Sequence, residues 1–181
     1  SSDLYYTLDS EFRSFYRQDT TATEVNGRRA DIHPMVYYPT HLGKSFFFEP
    51  YAGLRGTAWH TDNFTDDSGD DSNYRTRGLY EVGAQVSTTL SRVFTLNNDF
   101  AKKIKHEIMP KLEYDFIPDV DQKDLPYFDD MDQIDEENTI TWSLAHTFTS
   151  KKGKSDGTTT SEYKELAWFK LYQIYNIRRE R

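Results

Sequence analysis

Cysteine is absent from the 181 residues, which excludes a structural disulfide and any thiolate metal site within the chain. Also missing is any apolar run near the roughly 18 residues that a membrane helix needs. A basic balance is lacking: 30 acidic residues stand against 22 Lys and Arg, for a net charge of −8. That speaks against a nucleic-acid partner, which normally requires a basic face. No Gly-x-Ser-x-Gly elbow, no phosphate loop and no nucleophile with a paired base occurs, so nothing points to an enzyme. The histidines, His33, His41, His60, His106 and His146, lack metal-ligand spacing, and neither a metal nor another cofactor is expected.

What is abundant is aromatic: 13 Tyr, 12 Phe and 3 Trp. Plain antiparallel sheet is rich in such residues, and so are the girdles of membrane barrels. The stretch Lys103 to Phe116 alternates without a fault. Ile104, His106, Ile108, Pro110, Leu112, Tyr114 and Phe116 share one parity; Lys105, Glu107, Met109, Lys111, Glu113 and Asp115 hold the other. Successive side chains on a strand point to opposite faces, so one face is apolar and the other carries both signs of charge. A barrel strand in a membrane has this pattern with the apolar face outward. The same two-residue beat runs through Leu4–Arg17, Arg29–Tyr38, Phe46–Trp59, Tyr80–Ser91, Thr139–Thr149 and about Tyr163–Ile177, giving seven candidate strands. The last is ambiguous, because Phe169, Leu171 and Tyr175 alternate with Trp168, Tyr172 and Ile174. Long, mostly acidic links alternate with shorter or basic ones, as the outer loops and periplasmic turns of such a barrel do.

The expected fold is therefore all-β, an antiparallel meander forming a segment of a transmembrane outer-membrane β-barrel over residues 1–181. Leu54, Val82, Val86, Ile108, Leu112 and Leu144 should face lipid. Arg55, Glu81, Gln85, Lys111, Glu113 and Ser143 should face the lumen, where charges pair across strands. A soluble antiparallel sheet that binds lipids or sugars also alternates and remains an alternative, as does another outer-membrane barrel such as a porin or receptor. Prolines in mid-strand, Pro34, Pro50 and Pro110, predict local bulges or weakened pairing. An exported protein needs a signal peptide, and Ser1-Ser-Asp-Leu-Tyr-Tyr has neither the basic start nor the apolar core of one. The expectation is a fragment of a longer chain.

From His106 to Asp129 the sequence reads H-x-I-x-P-x-L-x-Y-x-F-x-P-x-x-D-Q-x-x-x-P-x-F-D. A strand with the central Pro110, then Tyr114, Pro118, Asp121-Gln122, Pro126 and Phe128-Asp129, closely resembles the LptD family of lipopolysaccharide-assembly, or organic-solvent-tolerance, proteins. Asn138-Thr-Ile-Thr-Trp-Ser-Leu and Gln173-Ile174-Tyr175 extend the likeness, and Glu49-Pro-Tyr-Ala-Gly-Leu-Arg-Gly-Thr57 matches more loosely. The resemblance implies an outer-membrane barrel of a Gram-negative bacterium that delivers lipopolysaccharide to the outer leaflet. It implies an LptE-like plug lipoprotein and periplasmic Lpt bridge proteins as partners, the latter through a domain outside this chain. It also implies the middle-to-late barrel, away from the strands of the lateral gate.

Two acidic segments remain. Asp66-Asp67-Ser68-Gly69-Asp70-Asp71 lacks the ligand spacing and closing Glu of an EF-hand and reads as a solvated loop. The long loop Asp119 to Asn138 follows an outward-running strand, which places it outside the cell. Pro118 and Pro126 restrain it, and its apolar side chains seek burial. It is expected to fold back over the barrel mouth, anchored by Tyr127 and Phe128.

Overall fold

The computed structural model describes residues 3–17, 25–62, 64–65, 69–96, 101–152 and 162–177. Asp66, Asp67 and Ser68, the residues 19–24 of the first polar turn, and the residues 153–161 of the last hairpin lie outside that set. The strands are β1 (Tyr5–Arg17), β2 (Val25–Tyr37), β3 (Thr40–Leu42), β4 (Phe46–Asp62), β5 (Tyr74–Thr88), β6 (Leu90–Thr95), β7 (Lys103–Ile117), β8 (Glu137–Lys152) and β9 (Glu162–Asn176). They form one antiparallel sheet in the order β1-β2-β4-β5-β7-β8-β9, with β3 added to β4 and β6 to β7. No helix occurs among the described residues. Consecutive neighbours make a meander, the topology that short connections between antiparallel strands favour.

Two short strands are additions to the seven alternating runs. β3 occupies what reads as a link after Pro39, and β6 continues the fourth run beyond Thr89 onto β7. β5 also starts earlier, at Tyr74. Pro34 weakens pairing without making a bulge. β2 keeps one register on β4, Ile32 opposite Gly56 and Met35 opposite Gly53, and skips only His33 and Pro34 between them. A proline has no N–H to give to that ladder. A register shift does occur between Phe148 and Thr149 of β8, opposite β9.

The described residues fall into two compact units. The first contains Ser1–Pro39, Pro50–Ala84 and Asp115–Asn138; the second contains Thr40–Glu49, Gln85–Tyr114 and Thr139–Arg181. In the first, shielding alternates along β2, β4 and β5. Arg29, Asp31 and Met35 of β2 are buried, while Ala30, Ile32, Pro34 and Val36 are exposed. On β4, Thr57, Trp59 and Thr61 are buried, and Leu54 is 64% exposed. On β5, Arg77 and Leu79 are buried, and Tyr80 and Val82 are exposed. In the second unit Thr139, Ser143 and Ala145 of β8 are buried, with Trp142 of β8 and Leu112 of β7 exposed.

This is the inverse of a soluble sheet. Burying one leucine-sized side chain is worth about 1.5–3 kcal/mol, yet here apolar side chains stand out and guanidinium and carboxylate groups lie inside. The inner side is also tightly filled. A Cβ on Gly53 would overlap the Met35 thioether and the Glu81 carboxylate. On the outer side of the second unit, Pro110 sits in an open apolar groove of about 270 Å³ with Phe46, Val86, Leu112, Trp142 and Leu144.

Candidate functional site: a loop clamped onto two arginines

The loop after β7 crosses the inner face of β2, β4 and β5 in the first unit, and its backbone is shaped by its own acids. Asp129 and Asp132 bracket a tight turn in which Asp132 N–H donates to the Asp129 carbonyl at 3.0 Å. The Asp132 side chain accepts from the N–H groups of Phe128 and Asp129 through Oδ2, at 2.6 and 2.9 Å. Short acidic side chains favour such local bonds, which is why they stop strands and make turns. Its other oxygen, Oδ1, accepts from Arg29 Nη1 and from Trp59 Nε1, both at 2.7 Å. The Asp132 carboxylate is 0% exposed and makes all four of these bonds.

Arg29 on β2 is the first clamp. Its two terminal nitrogens grip Asp129, Nη1 to Oδ1 at 2.5 Å and Nη2 to Oδ2 at 3.0 Å, in the fork geometry that matches a carboxylate. Arg13 on β1 adds a bond to the same carboxylate at 2.9 Å. Arg77 on β5 is the second clamp. It donates to the main-chain carbonyls of Asp132 at 2.7 Å and Met131 at 2.9 Å, and to Gln122 Oε1 at 2.8 Å. Gln122 in turn ties the loop to itself, donating to the Ile134 carbonyl at 2.8 Å and accepting from the Ile134 N–H at 3.0 Å. The Phe128 ring stacks on Phe15 with centroids 4.5 Å apart. It fits because residue 27 is glycine: a Cβ there would overlap the Phe128 ring.

The residues singled out by sequence are placed as follows. Pro126 is buried, Pro118 is half-buried at the start of the loop, and Asp121 caps the N–H of Lys123 at 3.2 Å. Gln122, Phe128 and Asp129 come together at the clamp, whereas Pro110 and Tyr114 lie on β7 away from it. Arg55 bonds Asp31 at 3.0 Å beside Thr57, Glu81 pairs with His33, and Gln85 donates to Glu49 at 2.7 Å. Lys111 and Glu113 pair with each other at 2.6 Å, as Lys105 and Glu107 do at 2.7 Å. These last two are pairs along one strand and not the cross-strand pairs expected. Residues two apart share a face, so each lysine finds its acid next door.

Tyr127 is not an anchor. It is half exposed, and its hydroxyl reaches only Asp130 at 3.3 Å. The apolar anchors are Phe128 and the fully buried Pro126, and charge holds the turn between Asp129 and Asp132. Arg29, Trp59, Arg77 and Asp132 were not legible as site residues. The Asp129-x-x-Asp132 spacing is a turn signal that could have drawn notice to Asp132, but nothing local marks the arginines.

The arrangement predicts a pH response. The Arg29 hydrogen bond holds the Asp129 carboxyl below the usual carboxylate range; burial opposes this, and the Met131 N–H and the charge of Arg13 add to it. A carboxylate with a depressed pKa in the docked state stabilises docking above its ordinary pKa, and that stabilisation is lost as pH falls through the depressed value. Limited proteolysis of the loop should therefore stay slow through the ordinary Asp range near about 4 and speed up only in stronger acid. Release at near-neutral pH would contradict the clamp.

Compared with known proteins, residues 1–181 match the profile of the family described as LptD, LPS transport system D. An LPS-assembly protein LptD of Alkalilimnicola ehrlichii is 29% identical over 124 residues, 68% of this chain and 16% of that protein. One of Bordetella avium is 32% identical over 109 residues, 57% of this chain and 13% of that protein. The matched region spans less than a fifth of the length of these curated relatives. The porin, receptor and soluble-sheet alternatives gain no support from these matches. With its all-β meander and its match from the first residue to the last, the chain belongs to the LptD family.

Proposed function

We propose that this chain is a stretch of barrel wall in an outer-membrane protein that assembles lipopolysaccharide at the surface of a Gram-negative bacterium. The observation that carries the reading is the inverted distribution of polarity in a chain of the LptD family. Leu54, Ile32, Val36 and Leu112 stand exposed, while Arg29, Asp31, Arg77 and Asp132 are buried. Such a wall costs a soluble protein dearly and suits one with hydrocarbon on one side and a polar passage on the other. Arg55, Glu81, Gln85, Lys111 and Glu113 then face the lumen. Gln122, Pro126, Phe128 and Asp129 hold the long loop over it. The chain's work is to bound and occlude a route for a polyanionic glycolipid, with an LptE-like plug and periplasmic Lpt bridge proteins as partners of the whole protein. No bond-making step is assigned to it.

The loop belongs on the extracellular side in this reading. A cysteine at the exposed Asp124 of the full-length protein should react with a membrane-impermeant maleimide on intact cells. A photo-crosslinker at Arg55 should capture lipopolysaccharide in growing cells, and one at Leu54 should capture phospholipid. Labelling of Asp124→Cys only after permeabilisation would invert the topology. Absence of any lipopolysaccharide adduct from inner-face positions would remove the transport role.

A further inference from the structure

Three polar side chains stand among apolar ones on the outer face of the second unit. Arg92 on β6 lies opposite His106 on β7, and Phe94 and Leu90 of β6 lie opposite Ile104 and Ile108. Cross-strand partners share a face, so the guanidinium and the imidazole rise side by side between two apolar pairs. His146 on β8 is the third. Its Nδ1 is 3.0 Å from His106 Nε2, and one ring donates to the other. Phe148 stacks on His106 at 4.1 Å and Phe169 on His146 at 4.6 Å, which fixes both ring planes.

A neutral imidazole carries one N–H and one bare nitrogen. Whichever ring donates, the bonded pair therefore keeps one N–H for an outside acceptor, on His106 Nδ1 or on His146 Nε2. Arg92 is exposed beside it, 5.3 Å from the Phe94 ring, with no carboxylate partner among the described residues. β7 and β8 each have a strand on both sides, so the imidazole pair does not lie at an end of the sheet. Four residues along β7 from His106, about 13 Å, Pro110 lies in the apolar groove with Phe46, Val86, Leu112, Trp142 and Leu144. These side chains come from β4, β5, β7 and β8, all interior strands. The Trp142 indole is held by its bond to Gln173 at 3.2 Å.

The level of the cluster follows from the strand. His106 precedes Phe116, on the same face of β7, by ten residues, about 33 Å along the strand. At the usual tilt of a barrel strand that is about 25 Å of height, the full apolar band. β7 runs outward in the proposed topology, so His106 and Arg92 stand at the periplasmic edge of the hydrocarbon, with the groove just inside it.

We infer that the outer face of β4 to β8 is a binding site for one phospholipid of the inner leaflet, its phosphate on Arg92 and the His106–His146 pair and an acyl chain in the Pro110 groove. The inference rests on the reading of the chain as outer-membrane barrel wall. A guanidinium presents parallel N–H groups to phosphate oxygens, and the free imidazole N–H supplies a further donor. Basic pockets at the membrane surface recognise lipid head groups in this way. Both halves of the site select the ligand. A water-soluble phosphate would leave the groove unfilled, and an apolar protein surface would bury the Arg92 charge at a cost. The glycolipid of the outer leaflet carries its phosphates at the opposite rim.

The test uses the full-length protein with its plug subunit in maltoside micelles, which contain no phosphate of their own. A photo-reactive diazirine analogue of leucine replaces Leu144 in the groove wall. The probes are alkyne-tagged phosphatidylglycerol and a tagged diacylglycerol with the same chains. Capture at 144 should favour the phospholipid by about tenfold, the size expected for hydrogen bonds to a charged group. Arg92→Gln should bring the two lipids to equal capture, and Arg92→Lys should keep most of the preference. His106→Phe preserves the ring stack and should remove part of it. Val86→Trp fills the groove and should reduce capture of both lipids alike. Equal capture of the two probes with Arg92 in place, or a preference that survives Arg92→Gln, overturns the site. So does capture of lipopolysaccharide in preference to phospholipid at 144 in growing cells, which gives the groove to the other leaflet. The same analogue at Leu54 separates the two failures. Lipid adducts at 54 without a preference at 144 sink this inference and leave the proposed function standing. Absence of lipid adducts at both positions in growing cells removes the proposed function first.

Discussion

Arg29→Ala is expected to cost about 3–5 kcal/mol of folded stability, the range for removing one partner of a buried ion pair. The size follows from what is left behind. Arg29 is 1% exposed and meets three carboxylates, those of Asp129, Asp132 and, at 3.6 Å, Glu11; the Asp132 carboxylate is 0% exposed. Without the guanidinium, Asp132 keeps the N–H groups of Trp59, Phe128 and Asp129, and its nearby cation is Arg77, which is bonded to its main-chain carbonyl and not to its carboxylate. The loop should then release, and its cleavage by protease should become fast at neutral pH. Asp132→Ala should release the loop as well, because it removes the bonds that shape the turn. Combining the two changes should cost less than their sum, since each destroys the same interaction. Thermal melting of the full-length protein in detergent gives the stability order, and proteolysis reports the loop. A melting point and a cleavage rate unchanged in Arg29→Ala would mean that the clamp contributes nothing.

The second large effect lies on the opposite face. Leu112→Arg should destabilise the membrane-embedded protein by roughly 2–4 kcal/mol, the cost of a guanidinium in mid-bilayer on a barrel strand. Its neighbour should behave differently. Lys111→Leu removes a pair with Glu113 that is about a quarter exposed on each side, and such pairs are worth roughly 0–1 kcal/mol. Reversible unfolding in lipid vesicles would give both numbers. Equal losses for the two substitutions would refute the assigned faces.

How much of this was legible in the sequence differs from element to element. β7 announced itself, because Ile104 to Phe116 never breaks step and its alternate face is charged throughout. β3 did not, since Thr40–Leu42 is too short for a period to show. Leu90 and Ser91 of β6 were read as the tail of the fourth run; β5 and β6 both pair with β7, and a break at Thr89 makes β6 a separate strand. The parity of β9 could not be settled locally, because both alternations are apolar; the register on β8 decides it. The loop divides along the same line. Phe128 and Asp129 were accessible through a spaced motif. Arg29 and Trp59, which hold the loop, lie about 100 and 73 residues away from their partners. An inward arginine on one strand looks like an inward arginine on another until the fold brings an acid to it. Tyr127 and Phe128 are adjacent and similar in sequence, and the turn at Asp129 allows only Phe128 to reach Phe15.

The central claim is that the apolar face of this sheet meets lipid and the charged face meets water. Single cysteines can be placed, in a background from which any other cysteine of the full-length protein has been removed, at three adjacent pairs: Leu54 and Arg55, Val82 and Glu81, Leu112 and Lys111. Nitroxide labels on the full-length protein in membranes then report collisions with oxygen, which concentrates in hydrocarbon, and with a water-soluble nickel chelate. The labels at 54, 82 and 112 should relax with oxygen and ignore the chelate, and those at 55, 81 and 111 should do the reverse. The same response at both members of each pair, or the opposite assignment, would contradict the account.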